Sequence, residues 1–492
     1  MSRSEARLRW SGLFLVLIGA ILPASTTISF FPHWDLDPLT FPSSNTGLGP
    51  FGLMLCHLAA LTGAASLFIA EVLARRPGIP VPCLLGAIGA AATVWHVLFQ
   101  PDATPQSQYT GLAWLTGIAC TLSLVHAGRD PLTRRLTLAT LLGFIGLLAL
   151  RGGQQVYIEH AATLGAYRAN PQAFLAAQGW TPGSSMARAY ERRLLQPDAS
   201  GWFGLSNIYT SIAAWATVLG AGLAVAGFIA RRDSRSSPRN DTSVVLHSWV
   251  AAGAVLAPLA GVAALLLGLS KSGFAAAAFG LAMIAILTWL RRFTEARTAR
   301  RATLFAAFLG CLALSGPMIL IVARGLVGEA LGERSLLFRW FYMQAAARIG
   351  GANPVAGIGP GNFQDAYLVA KPPLSTEDVA SAHNLLMDWW ASLGVPGLAW
   401  IALLLVVAVR AMLAPLATPQ PYRRTREARR LVAAVASLTT IASVLLEHGA
   451  ITPDAAAVRI LGLVLWSLIG MAALEFAHHR FFAIGVAAAA AA

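Results

Sequence analysis

Along this chain, apolar runs of membrane-spanning length alternate with short polar stretches rich in arginine. A bilayer core needs about 20 apolar residues per helix. Twelve segments meet that demand, each boundary good to a few residues: 11–31, 51–74, 81–100, 110–127, 133–150, 205–230, 244–269, 273–290, 302–323, 384–409, 431–446 and 456–474. The pair flanking Lys271 also reads as one hairpin. No clear small-residue cleavage site follows the first run, so it reads as an uncleaved span. The pattern predicts an all-α integral membrane protein with about twelve transmembrane helices.

Two connections are too long to be turns, 151–204 and 324–383. They divide the chain into helices 1–5 over 1–150, a first long loop over 151–204 and helices 6–9 over 205–323. A second long loop over 324–383 and helices 10–12 with the C-terminal tail over 384–492 complete it. Long ordered loops in compact proteins often carry function. The low-complexity run 487–492 takes no role in this reading.

Composition sharpens the class. The chain is 56% hydrophobic and 12% charged, about half the charged share of an ordinary soluble domain. Its net charge of +14 would suit a nucleic-acid binder, but the basic residues sit in short clusters between apolar runs. Arg75 and Arg76, Arg134 and Arg135, Arg231 and Arg232, Arg300 and Arg301, and Arg423 through Arg430 fall in alternate loops; 32–50 and 101–109 carry no base. By the positive-inside rule the clusters are cytoplasmic. Both termini are then cytoplasmic, and both long loops lie on the outer face. Cys56, Cys83, Cys120 and Cys311 lie in or beside apolar segments without metal-ligand spacing, and read as small apolar residues.

The candidate chemistry gathers on the outer face. His383-Asn384 closes the second loop, followed nine residues later by Gly394-Val-Pro-Gly397. Histidine can exchange protons near neutral pH. Read as part of the first turn of span 10, His383 meets the positive end of a helix. That end keeps the ring neutral, the state a general base needs. Position alone suits an interfacial histidine capping a helix beside Asn384 better still. Arg334, Arg339 and Arg348 lie in the same loop. Guanidinium groups grip phosphate bidentately, though membrane-surface anchoring, with Arg334 paired to Glu333, reads equally well. Lys271 is the one base in the short outer loops; snorkelling to the interface would explain it too. Asp388, five residues after His383, lies off that residue's face and is a secondary candidate. Glu447 and His448, at the outer end of span 11, are candidates to line the same site. The glycine cluster 357–361 lacks nucleotide-loop spacing and a preceding strand, so it reads as tight turns.

Three blocks in order carry a resemblance. His383-Asn384-x9-Gly394-x-x-Gly397 resembles the signature of the O-antigen ligase superfamily, which includes polysaccharide polymerases and bacterial protein O-oligosaccharyltransferases. Arg339-Trp-Phe-Tyr-Met343, followed by Pro354-Val-Ala-Gly357-Ile-Gly359, is similar to its Arg-x3-Trp segment and Pro-x-x-Gly-x-Gly turn. Leu269-Ser270-Lys271-Ser272-Gly273 is similar to its Ser-Arg-Gly-Gly hairpin. The likeness spans roughly residues 245–445. Lys271 stands where the family has arginine, and Met343 where it has tryptophan. Arg334 also precedes a Phe by four positions, so Arg334 and Arg339 compete for one role.

The resemblance implies inverting, metal-independent glycan transfer with no cofactor, at the outer face of a bacterial inner membrane. The donor would be a polyprenyl-diphosphate-linked glycan. The acceptor would be a hydroxyl of lipid A core, of a glycan repeat or of a protein. His383 would deprotonate or orient that hydroxyl. Arg339 or Arg334, with Lys271, would hold the diphosphate. Two rivals stay open. A metal-dependent transferase for lipid-linked sugars would use Asp35 and Asp37, although Asp37-Pro38 is also turn chemistry. A polytopic transporter would need no covalent chemistry, and the sequence offers it few ionisable groups deep in the spans.

Overall fold

The computed structural model describes residues 3–28, 47–74, 81–99, 105–177, 179–235, 242–290, 308, 316, 318–327, 334–413, 426–448, 451–476 and 480–489. Among these, eight helices are long and apolar enough to cross a membrane, with three shorter apolar ones beside them. No named strand occurs among the described residues, where Ile28 and Leu48 make an isolated bridge. This is the make-up of an all-α membrane protein.

The core forms around α5 (Pro131–Gln154) and α18 (Pro453–Phe476), with α9 (Ser206–Arg235) and α10 (Thr242–Gly268) against them. Small residues let these backbones approach, as helices without a hydrophobic drive between them require. A Cβ on Gly143 of α5 would stand 2.3 Å from the Trp466 ring of α18. That indole is fully buried and donates to the Thr140 carbonyl at 2.9 Å. On the other flank α1 (Arg3–Ile21) pairs with α2 (Pro50–Leu73), and α3 (Val81–Phe99) with α4 (Pro105–Ala127).

Polar contacts fix the two ends of the bundle. At one end Arg9 of α1 meets Glu71 of α2 at 2.7 Å and Asp130, before α5, at 3.6 Å. At the other end Thr26 and Thr27, after α1, donate to Glu447. Gln154 of α5 donates to Asp454 of α18 there, and Ser270 to Asn207 of α9. The outer-loop candidates all fall at this second end. A ring N–H of His96, near the end of α3, donates to the Ala356 carbonyl at 2.6 Å, in the loop that leads toward His383.

Several expected boundaries move. The first helix begins at Arg3 and ends at Ile21, where 11–31 was expected; Arg9 is neutralised by Glu5 and Glu71, so a charge can sit inside it. Residues 151–204, expected as a loop, are largely helical. The helix α5 continues through a π turn at Gln155–Glu159 into α6 (His160–Ala169), followed by α7 (Pro171–Ala177) and α8 (Ser185–Leu194). Of expected span 302–323, the described part is chiefly α12 (Met318–Val327). The expected loop 324–383 holds two helices, α13 (Arg334–Ala352) and α14 (Phe363–Ala370). Expected span 384–409 is broken into α15 (Leu385–Leu393) and α16 (Val395–Leu413). Beyond α17 (Arg426–Leu446) and α18 the chain ends in α19 (Arg480–Ala489), which packs on α9. The terminal alanines through Ala489 thus extend a packed helix.

Candidate active site

A small second core builds the site. Phe338, Tyr342, Ala345, Ala346 and Ile349 recur at helical spacing along α13, giving it one apolar face. That face buries Phe363 and Tyr367 of α14, Ala382, and Ala391 of α15. Arg348 donates to the Ala370 carbonyl at 3.0 Å. It therefore ties down the C-terminus of α14, where its positive charge is favoured.

The glycine loop fastens the break between α15 and α16. The amides of Ile358 and Gly359 donate to the Ala391 and Ser392 carbonyls at 3.0 and 2.8 Å, and Val395 donates to Pro354 at 2.9 Å. Carbonyls left unpaired at the end of α15 are satisfied in this way. The backbones touch. A Cβ on Gly357 would lie 2.3 Å from the Ser392 carbonyl carbon, and one on Gly394 2.6 Å from Pro354 and Val355. Both glycines also have φ near +60 to +70°, with 70° at Gly357 and 61° at Gly394. The two glycine motifs are thus halves of one backbone joint.

His383 stands directly before this short helix, outside its first turn. Asn384 is the N-cap, its side-chain oxygen accepting from the Met387 amide at 3.2 Å. The expected placement of His383 within the helix is corrected accordingly, and the capping role passes to Asn384. His383 has φ 51°, a left-handed conformation that few side chains adopt. Its amide donates to Ser381 Oγ at 3.0 Å, and Ser381 Oγ donates to Asp388 Oδ2 at 2.9 Å. The Ala382 amide donates to Asp388 Oδ1 at 2.5 Å. Asp388 therefore clamps the turn that presents His383, although it lies off the histidine's helical face. The exposed imidazole rests against Tyr342, ring centroids 5.5 Å apart. The Tyr342 hydroxyl in turn donates to Glu377.

Arg339 and Lys271 sit on different helices. Arg339 is half-buried on α13, one helical turn before Tyr342, so their side chains are neighbours on the helix surface. Lys271 is exposed at the start of α11 (Lys271–Leu290), which packs on α9 and α19. Leu269, two residues earlier, has φ 47°. Leu269 and His383 are the non-glycine residues with positive φ among those described, and each lies in one of the sequence motifs. Such backbone strain gathers at functional sites. The Arg334 side chain, and Asp35 and Asp37 altogether, lie outside the described residues.

The family model described as O-antigen ligase matches residues 256–402, and over this segment the chain is similar to that family. The O-antigen ligase segment takes in Lys271, Arg339, both glycine motifs and His383, and it points to an enzyme of glycosyl transfer in polysaccharide biosynthesis. No curated protein and no solved structure matches the chain.

Two secondary candidates fall outside the O-antigen ligase segment. Glu447 is buried against Arg459 of α18 and accepts from Thr26 and Thr27 at 2.9 and 2.7 Å. It locks α1, α17 and α18 together. His448 is exposed, within hydrogen-bond distance of the Leu445 carbonyl at 3.0 Å. Sequence reasoning passed over Arg459, a charge inside an expected span, which is itself a warning of a buried partner. It also passed over Tyr342 and Ser381. Tyr342 is legible only as a polar-tipped ring on an apolar helix face.

Proposed function

We propose that this protein transfers a glycan from a polyprenyl-diphosphate carrier to an acceptor hydroxyl, with inversion, at the outer face of the bacterial inner membrane. The acceptor O–H gives its proton to a ring nitrogen of His383. The oxygen attacks the anomeric carbon from the face opposite the carrier. The bond from that carbon to the diphosphate oxygen breaks, and the carrier diphosphate leaves with the electron pair. A positioned base contributes about 10²–10⁴-fold to such a step.

Arg339 is the group we assign to the leaving diphosphate, because it stands one turn from the tyrosine on which His383 rests. A fixed guanidinium opposite growing negative charge needs no reorganisation at the moment of reaction. Lys271 supplies a second cation on this end of the bundle. Asn384 caps α15, and Asp388 with Ser381 holds the turn. Cationic side chains thus carry the charge that a metal carries in other transferases.

The observation that carries the reading is His383 itself: exposed, in a strained backbone conformation, clamped by Asp388 and inside the O-antigen ligase segment. The test supplies purified protein with a polyprenyl-diphosphate glycan, an acceptor and excess EDTA. Transfer that survives the chelator but is lost in His383→Ala supports the reading. Transfer that the chelator abolishes returns the assignment to Asp35 and Asp37.

A further inference from the structure

A histidine base works best when its ring is held in one orientation. Usually a carboxylate or carbonyl does this by bonding the second ring nitrogen. Among the described residues neither ring nitrogen of His383 has a hydrogen-bond partner, although its backbone amide is bonded to Ser381. Asp388 engages Ser381 and the Ala382 amide with its two oxygens. That clamp fixes the backbone of the turn and leaves the two side-chain torsions of the imidazole to packing. The ring packed against it is Tyr342, 5.5 Å away between centroids and tilted by 47°.

Tyr342 is itself held from several sides. It is buried on the apolar face of α13 that also carries Phe338 and Ala346. Tyr367 of α14 meets its ring edge-on, 5.9 Å between centroids. Its hydroxyl donates to Glu377, a bond that a carboxylate acceptor strengthens. Glu377 lies in the connection from α14 to His383, and that connection is tied to α14. The Glu377 carbonyl accepts from Lys371 Nζ at 3.2 Å, and the neighbouring Asp378 accepts from Gln364 at 3.1 Å. The carboxylate is thus delivered to the Tyr342 hydroxyl at a fixed place. Phenylalanine would fill the same apolar position. The hydroxyl is what lets Glu377 set the rotation of the ring on which His383 rests.

We propose that Tyr342 and Glu377 are positioning residues for His383: the Tyr342 ring is a shelf that holds the imidazole, and Glu377 locks that shelf. Neither touches the reacting atoms. The role rests on the transferase reading, in which His383 takes the acceptor's proton. An aromatic contact of ordinary strength favours one ring orientation by about two- to tenfold. Loosening the shelf should lower kcat within that range. The acceptor KM should change little, because the misoriented imidazole is felt in the proton transfer and not in binding.

The experiment assays transfer by full-length protein in nanodiscs. In parallel, peptide mass spectrometry follows modification of His383 by diethyl pyrocarbonate, with the exposed His448 as internal reference. Tyr342→Phe and Glu377→Ala remove the same hydrogen bond and keep the ring. Each is expected to lower kcat about threefold, with acceptor KM and unfolding temperature unchanged. The double variant should be no worse than either single one. Neither change should lower the residual rate of His383→Ala. Tyr342→Ala, which removes the shelf, should raise His383 modification about threefold relative to His448. Wild-type kcat and wild-type His383 modification in all three single variants overturn the proposal. So do losses that multiply in the double variant or recur in the His383→Ala background, since either shows a role apart from His383. A wild type that transfers nothing overturns the transferase reading instead, and the modification ratio then decides the support alone.

Discussion

At His383 the backbone adopts a conformation that costs about 1–3 kcal/mol for a residue with a side chain, and the surroundings hold it there. Removing the imidazole should remove chemistry and leave structure. His383→Ala is expected to lower kcat by about 10²–10⁴-fold with unchanged unfolding temperature, measured by transfer assay and thermal melt. Arg339→Ala should cost about 10²–10³ in kcat if it faces the diphosphate. Asp388 acts through the turn. Asp388→Asn keeps an oxygen for the Ala382 amide but loses the acceptor for Ser381, so it should lower kcat with the fold retained; an unchanged kcat in the transfer assay would contradict the assignment.

Elements explain where the sequence could be read and where it could not. The apolar runs announced α2, α3, α4 and α9 through α11 to within several residues, because length and hydropathy alone define a spanning helix. The same rule concealed the break at Gly394, since α15 and α16 are both apolar and together have the length of one span. What separates them is a backbone joint with the 353–361 loop, a long-range contact that periodicity does not record. Gly357→Ala or Gly394→Ala is expected to force the joint apart, with a loss of about 1–3 kcal/mol from backbone conformation alone and loss of transfer; denaturation and turnover check both. The loop 151–204 hid its helices for a different reason. Its α8 (SMARAYERRL) carries many charges, and a search for apolar runs passes over it. Arg459 was hidden inside an apolar run. Breaking a buried pair leaves a bare charge and costs about 3–5 kcal/mol. Arg459→Ala should therefore destabilise the fold by that order, and Arg459→Met with Glu447→Gln by much less, in paired melts of the two variants.

On the scale of the whole molecule, the described bundle has two chemically distinct ends. One holds Arg9, Glu71 and Asp130. The other holds the His383 turn and the 353–361 loop. In a cysteine-free background, Leu374→Cys, exposed near the His383 turn, should react with an impermeant thiol reagent in intact spheroplasts. Glu427→Cys, exposed at the start of α17, should react only after permeabilisation. The reverse pattern would invert the orientation and remove the donor's carrier lipid from reach. The central claim concerns chemistry at His383. Its most direct measurement follows glycan transfer and diphosphate-carrier release by purified protein supplied with a labelled polyprenyl-diphosphate glycan and an acceptor. The account predicts transfer with one carrier released per glycan moved, reduced at least a hundredfold in a folded His383→Ala variant; transfer at wild-type rate in that variant would contradict it.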